Sequence, residues 1–416
     1  MARPRPISRW RLILSRALRQ AWVKAALYCL GGIVAALLAW RFQFLVPEDL
    51  ALSVGSDAAG NVLSVLASSM LTVTTFSLTV LVSALGSASA GVTPRATTLW
   101  SEDRRAHNAL ATFIGAFMFS VVGIIALSTH LYGSGGRLLL LGATVIVIGF
   151  IVVTLLRWMQ QLTSFGRVGE TIRLVEQAAT KALRARRELP YLGGIPADPV
   201  HRQPVPVFPA RIGYIQYIDM AALSRALNGR AVMLDVVALP GAFIHLATPL
   251  AYVDREMPAQ SREAVCKAFL VADDRSWEQD PRFGLSVLAE IGSKSLPPTA
   301  ADYGTALAVI GAALRVLATW IPDGEPAPEP DHPHVRVPAL STDDLLEDVF
   351  HPLAREGAGI IQVPVHIQKA LAALVEMAPD RFEIAARQLS QVVTDHANVA
   401  LALPAEKSKV EVLTLR

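Results

Sequence analysis

Only two of the 416 residues are cysteine, Cys29 and Cys266, and they lie far apart in segments of different character. No disulfide framework follows, and the usage suits a reducing side. The signatures of common enzyme chemistry are missing too. There is no G-x-x-x-x-G-K-[ST] phosphate loop, no G-x-S-x-G elbow, no H-E-x-x-H, no C-x-x-C and no dinucleotide fingerprint. Nothing pairs a nucleophile with a base, so the reading is of a protein that is not an enzyme and takes no cofactor. His332-Pro333-His334 lacks Cys or acidic ligands at tetrahedral spacing, and no metal site is assigned. The net charge of +3 comes mostly from basic clusters beside apolar runs and gives no case for nucleic acid.

A further absence concerns charge. Four apolar stretches run over residues 23–39, 62–85, 109–129 and 138–156, and the last three hold no Asp, Glu, Lys, Arg or His. A helix needs about 20 apolar residues to cross a hydrocarbon core of about 30 Å. Continuous runs of this length read as membrane-spanning helices, because only helices or closed barrels satisfy the backbone there. Ion-coupled transporters place ionisable groups at mid-membrane, so a proton relay is disfavoured while a passive channel or a membrane-anchored sensor stays open.

Charge on the flanks predicts the topology. The N-terminal tail carries Arg3, Arg5, Arg9, Arg11, Arg16, Arg19 and Lys24 with no acid. The first connection has one Arg against Glu48, Asp49 and Asp57, whereas the second has Arg95, Arg104 and Arg105. The third has only Arg137, and Arg157, Arg167, Arg173, Lys181, Arg184, Arg186 and Arg187 follow the fourth run. An in-out-in-out-in order places both termini in the cytoplasm. A basic start before an apolar run also fits a cleaved signal peptide, but no small-x-small site closes the first run before Trp40-Arg41.

The expected fold class is an α-helical membrane protein with four transmembrane helices, followed by a cytoplasmic α+β domain. Its parts are a basic tail (1–22), a four-helix transmembrane domain (23–156), a stalk helix (157–189) and a linker with six prolines (190–209). An α+β domain (210–320), a second Pro- and acid-rich linker (321–338) and a C-terminal helical region (339–416) follow. Residues 211–219 alternate as a strand, 220–227 read as a helix, and 231–254 read as two or three short strands. Helical periodicity covers 282–295, 302–320, 342–354, 363–377 and 380–399, with Asp380 as the cap of the last.

Three groups of residues are candidate sites. Ser64, Ser68, Thr72, Thr75, Thr79 and Ser83 in the second span are spaced 4, 4, 3, 4, 4, which puts all six on one helix face. Such an uncharged polar face lines a water-filled path, or else serves as interhelical glue. Arg95, Asp103 and Asn108 in the second cytoplasmic loop are candidates for the inner mouth of that path, against the plainer reading of a topogenic loop with a capped helix. Asp273, Asp274, Arg275, Glu278 and Asp280 form an acidic cluster together with Arg282. It matches no calcium-loop spacing and reads as a salt-bridged turn before a helix.

The run SSMLTVTTFSLTVLVSALGSASAGVTPRATTLWSEDRRAHNALATFIGAFMFSVVGIIALST closely resembles the bacterial membrane proteins grouped as domain of unknown function 2254. The resemblance continues through GYIQYID, PGAFIHLATPLA and DDRSWEQDPRFGLSVLAEI, and covers about residues 20 to 400. It implies a multi-pass protein of the bacterial inner membrane and supplies no catalytic residues. A weaker similarity links the PGAFI…TPLA stretch to half of a biotinyl/lipoyl-type flattened barrel, although residues 230–254 contain no attachment lysine.

Two functions are expected. One is an oligomeric passive channel or transport protein, with the second span lining the axis and the cytoplasmic part regulating it. Four spans enclose no wide path alone, hence a homo-oligomer in the lipid bilayer. The other is a non-transporting sensor or scaffold whose cytoplasmic domain binds a small ligand or ion, or a protein partner.

Overall fold

The structure is a computed structural model that describes residues 58–91, 93–101, 104–128, 134–162, 167–197, 205–227, 232–299, 302–322 and 329–415, with positions 26, 30–34, 38 and 41 in addition. Its described residues divide into two compact units: those up to 90 with those from 98 to 167, and those from 168 on with those from 91 to 97.

The first unit contains α1 (Ala58–Gly91), α3 (Arg104–Ser128) and α4 (Ser134–Leu162); the short α2 (Pro94–Ser101), which follows α1 in sequence, has its first four residues in the second unit. Three segments of these helices are long and apolar enough to cross a membrane: Ala58–Ser83, Asn108–Ser128 and Gly135–Leu162. The first expected span lies mostly outside the described residues; those described, 26, 30–34, 38 and 41, are helical.

Leu66, Met70, Ala109, Phe113, Ala116, Ile151 and Trp158 form the buried contact between these helices, and Leu63, Phe119 and Leu140 form a second one. Gly123 allows the close approach of α3 to α1, since a Cβ there would lie 2.9 Å from Leu63 Cδ1. Trp158 donates its indole N–H to the buried Ser77 Oγ at 3.0 Å. Phe76, Val82, Val145, Ile146 and Phe150 point outward. Outward apolar side chains around a small buried seam suit helices solvated by lipid.

The second unit combines two sheets with a helical layer. The five-stranded sheet runs β1 (Ile195–Pro196), β8 (Val335–Val337), β4 (Leu234–Val236), β6 (Ala251–Val253), β2 (Val205–Val207). Strand β8 pairs in parallel with both β1 and β4, while β6 pairs antiparallel with β4 and β2. The three-stranded sheet is antiparallel, β5 (Phe243–Ile244), β3 (Gly213–Ile218), β7 (Phe269–Ala272), with a register shift between Ile215 and Tyr217. Ile215, Ile218, Leu223, Leu234, Ile244, Leu250, Val335 and Val337 fill the core, closed by α6 (Met220–Leu227) and α7 (Ala259–Ala268).

Both proline-rich stretches expected as linkers contribute strands. β1 and β2 come from 190–209, and β8 follows 323–328. Pro196 and Pro206 sit in the two outer strands, where a missing N–H breaks no central ladder. Paired in parallel with a strand that follows some hundred residues later, this is a mixed sheet and not half of a flattened barrel.

The helical layer comprises α5 (Val168–Glu188), α8 (Pro281–Ser295), α9 (Tyr303–Ala318), α10 (Thr342–Glu356), α11 (Gln362–Met377), α12 (Pro379–Ala400) and α13 (Pro404–Leu413). α8 is central, packing on α5, α9 and α10. Its glycines permit this, because a Cβ on Gly284 would lie 2.3 Å from Ala179 Cβ and one on Gly292 2.6 Å from Leu353 Cδ2. The expected cap Asp380 is instead in the first turn of α12; the cap position is Ala378, which offers no side-chain acceptor.

Candidate functional site: a hydroxyl face and an arginine-lined cavity

The six hydroxyls of the second span lie together, as their spacing requires, on α1. All six are exposed, on the side opposite the packed residues Leu63, Leu66, Met70 and Ser77. They are therefore not glue between the described helices of one chain. Four turn their protons inward: Ser68 donates to Ser64 O (3.1 Å), Thr72 to Ser68 O (3.0 Å), Thr75 to Thr72 O (2.9 Å) and Thr79 to Thr75 O (3.0 Å). A hydroxyl whose proton is spent on its own backbone presents only oxygen lone pairs outward.

Arg95 belongs to the second unit, where it pairs with Glu290 of α8, whereas Asn108 is an exposed residue of the first. Asp103 lies outside the described residues.

The acidic cluster is dispersed. Asp273 is exposed and pairs with Arg211 at 2.5 Å, and Asp274 offers its backbone carbonyl to Gln216 Nε2 at 2.8 Å. Glu278 is exposed. Asp280 is fully buried and does two jobs. It caps α8, accepting from Arg282 N and Phe283 N at 3.1 Å each, and takes both Arg275 Nε (2.7 Å) and Nη2 (3.0 Å). Burial pushes its carboxyl upward while the Arg275 guanidinium and the two N–H groups pull it down. Among the described residues no group of three His, Cys, Asp or Glu is placed to hold a metal ion.

Arg275 and its neighbours open on a cavity of about 250 Å³. One wall is the turn Leu239-Pro240-Gly241-Ala242, closed by Ala242 N donating to Leu239 O at 3.0 Å. Proline second and glycine third, with Gly241 at φ +94°, is the pattern of a type II turn. A second wall holds Arg282, which grips Asp348 with Nε (2.6 Å) and Nη2 (2.9 Å) and bonds Asp344 with Nη1. The third comes from the last turn of α5 and the segment before α10, with Arg186, Ala339, Leu340 and Ser341.

Arg186 differs from the other two arginines. It is 4 % exposed, its Nη2 donates to Pro338 O at 3.1 Å, and its Nε is buried with no partner. Among the described residues no carboxylate pairs with it. Burial lowers its pKa to about 10, and Tyr191 is the group whose charge opposes that. In the sequence Arg186 is one of seven basic residues after the fourth run; it continues the apolar stripe Ile172, Val175, Ala179, Ala182, Leu183 at helical spacing, which is the signal that could have singled it out. Pro240-Gly241 and Asp280-Pro281 were the legible signals for this region.

The family described as "Predicted membrane protein (DUF2254)" matches residues 19–373. The chain belongs to this family. The match covers the apolar helices and most of the α+β unit, in line with the resemblance carried by the second-span block. No curated protein and no solved structure matches the chain. Apolar helices and family membership together make it a membrane protein.

Proposed function

We propose that this DUF2254 protein self-associates in the membrane through the outward face of its second span, and that the assembly forms a passive path for water or small cations. The observation that carries the reading is the position of Ser64, Ser68, Thr72, Thr75, Thr79 and Ser83, all exposed and turned away from the packed side of α1. A single chain gives one such face, so closing a path takes several copies around an axis. Outward oxygen lone pairs suit a cation or water better than an anion. The uncharged spans favour passive flow over proton coupling, and the reading assigns no catalysis.

The proposed setting is the bacterial inner membrane with both termini cytoplasmic, supported by the basic flanks of the apolar runs. The test is cation flux through purified protein in proteoliposomes, with Ser68, Thr72, Thr75 and Thr79 changed together to Ala. Flux that the quadruple variant loses while still assembling supports the path; no flux from clean wild-type protein removes it.

A second reading, a membrane-anchored sensor, is favoured by the cavity beside Arg186. A buried cation without a counter-ion is an arrangement that ligand binding completes.

A further inference from the structure

We infer that the cavity between α5, α8 and the start of α10 is a binding site for a small anion carrying a phosphoryl group, with Arg186 as its anchor. Four observations converge. Arg186 lines the cavity, is almost wholly buried, and pairs with no carboxylate among the described residues. Its Nε has no hydrogen-bond partner. A charge taken out of water without compensation is unfavourable, and a bound anion supplies the missing compensation. A guanidinium matches the oxygen geometry of a phosphoryl group.

Ser341 lines the same cavity. Its Oγ accepts from Asp344 N at 3.1 Å to cap α10, which leaves its O–H to donate to a ligand at the positive end of that helix.

The other two arginines on the walls already have carboxylate partners. Arg275 is held by Asp280, and Arg282 by Asp344 and Asp348. The Arg282 cluster has one carboxylate more than it has cations. Neither carboxylate of that cluster pairs with Arg186. A cavity of about 250 Å³ lies just below the roughly 300–1,000 Å³ of ordinary ligand sites. It suits free phosphate or a short phosphomonoester and is too small for a nucleotide. The site is independent of the second-span path, whose test is flux.

The experiment is equilibrium binding of radiolabelled inorganic phosphate to the full-length protein in detergent, at constant ionic strength. It is repeated with glycerol 3-phosphate as competitor and, for specificity, with acetate. Wild type is expected to bind one phosphate per chain, displaced by glycerol 3-phosphate and not by acetate. Arg186→Met is expected to weaken binding by at least about tenfold while melting no lower than unliganded wild type, because it removes an uncompensated charge. If Arg186→Met does not fold, Arg186→Lys and Ser341→Ala take its place, and each is expected to weaken binding.

Nanodiscs with and without phosphatidic acid separate two sources of the same chemistry. Competition by the lipid assigns the site to a headgroup, and its absence assigns it to a soluble phosphate. Wild type that binds no phosphate up to about 10 mM in detergent or in nanodiscs free of phosphatidic acid overturns the site. So do Arg186 and Ser341 variants that bind as wild type does.

Discussion

Gly241 rests against Asp280 so closely that a Cβ on the glycine would lie 2.4 Å from the carboxylate Oδ2. The contact joins the turn after β4 to the cap of α8, and so couples one wall of the cavity to the helix that organises the soluble unit. Glycine is required here twice over, by the contact and by φ +94°. Gly241→Ala is expected to destabilise the soluble unit by about 1–3 kcal/mol. Thermal unfolding of the full-length protein in detergent checks this, and a melt like wild type would show that the turn yields freely.

Asp280 separates capping from charge. Asp280→Ala removes the cap and leaves Arg275, 17 % exposed, without its carboxylate. A loss of about 3–5 kcal/mol is expected from breaking such a buried pair. Asp280→Asn keeps an oxygen for the N–H groups of Arg282 and Phe283 and is expected to lose less. Equal losses in urea unfolding would mean that the charge, not the cap, carries the effect.

Hydroxyls in the second span divide by face. Ser77 is buried and accepts the Trp158 indole N–H, whereas Thr75 is exposed and bonds its own backbone. Ser77→Ala is expected to cost about 1 kcal/mol or more, and Thr75→Ala to stay within about 0.5 kcal/mol in the isolated chain. Denaturation in mixed micelles reads both, and a larger loss at Thr75 would place that face in a dry contact.

His332 gives a pH signature. Desolvation lowers its pKa, against the pull of Asp331 and Asp219, and its Nδ1 shares a hydrogen bond with Ser224 Oγ at 2.8 Å. The unfolded chain then binds a proton more readily than the fold does near pH 6. Its contribution is present above the ordinary histidine value of about 6.5 and is lost as pH falls through the lower folded value. His332→Gln is expected to flatten the fall in melting temperature between about pH 6.5 and 5; an unchanged slope would assign the acid sensitivity to other groups.

Local pattern was enough for much of the architecture. Three uncharged runs became three long apolar helices, because a backbone in lipid has few other ways to satisfy itself. Alternation in 211–219 and turn residues at 240–241 located β3 and the loop before β5 within a residue or two. The strands hidden in proline-rich stretches were not legible, since two or three residues carry no period and their pairing partner β8 arrives from far along the chain.

The spacing 4, 4, 3, 4, 4 by itself determined that six hydroxyls share one face of the second span. Only the tertiary structure decided which way that face turns, because the direction depends on where Leu63, Leu66, Met70 and Ser77 find their partners. The same holds in the soluble unit. Helical spacing puts Arg186 on the apolar face of α5, but that no carboxylate among the described residues meets it there is decided by the segment before α10, whose Pro338 carbonyl is its partner. Pairing is a long-range property, and a residue's own neighbours in the chain do not encode it.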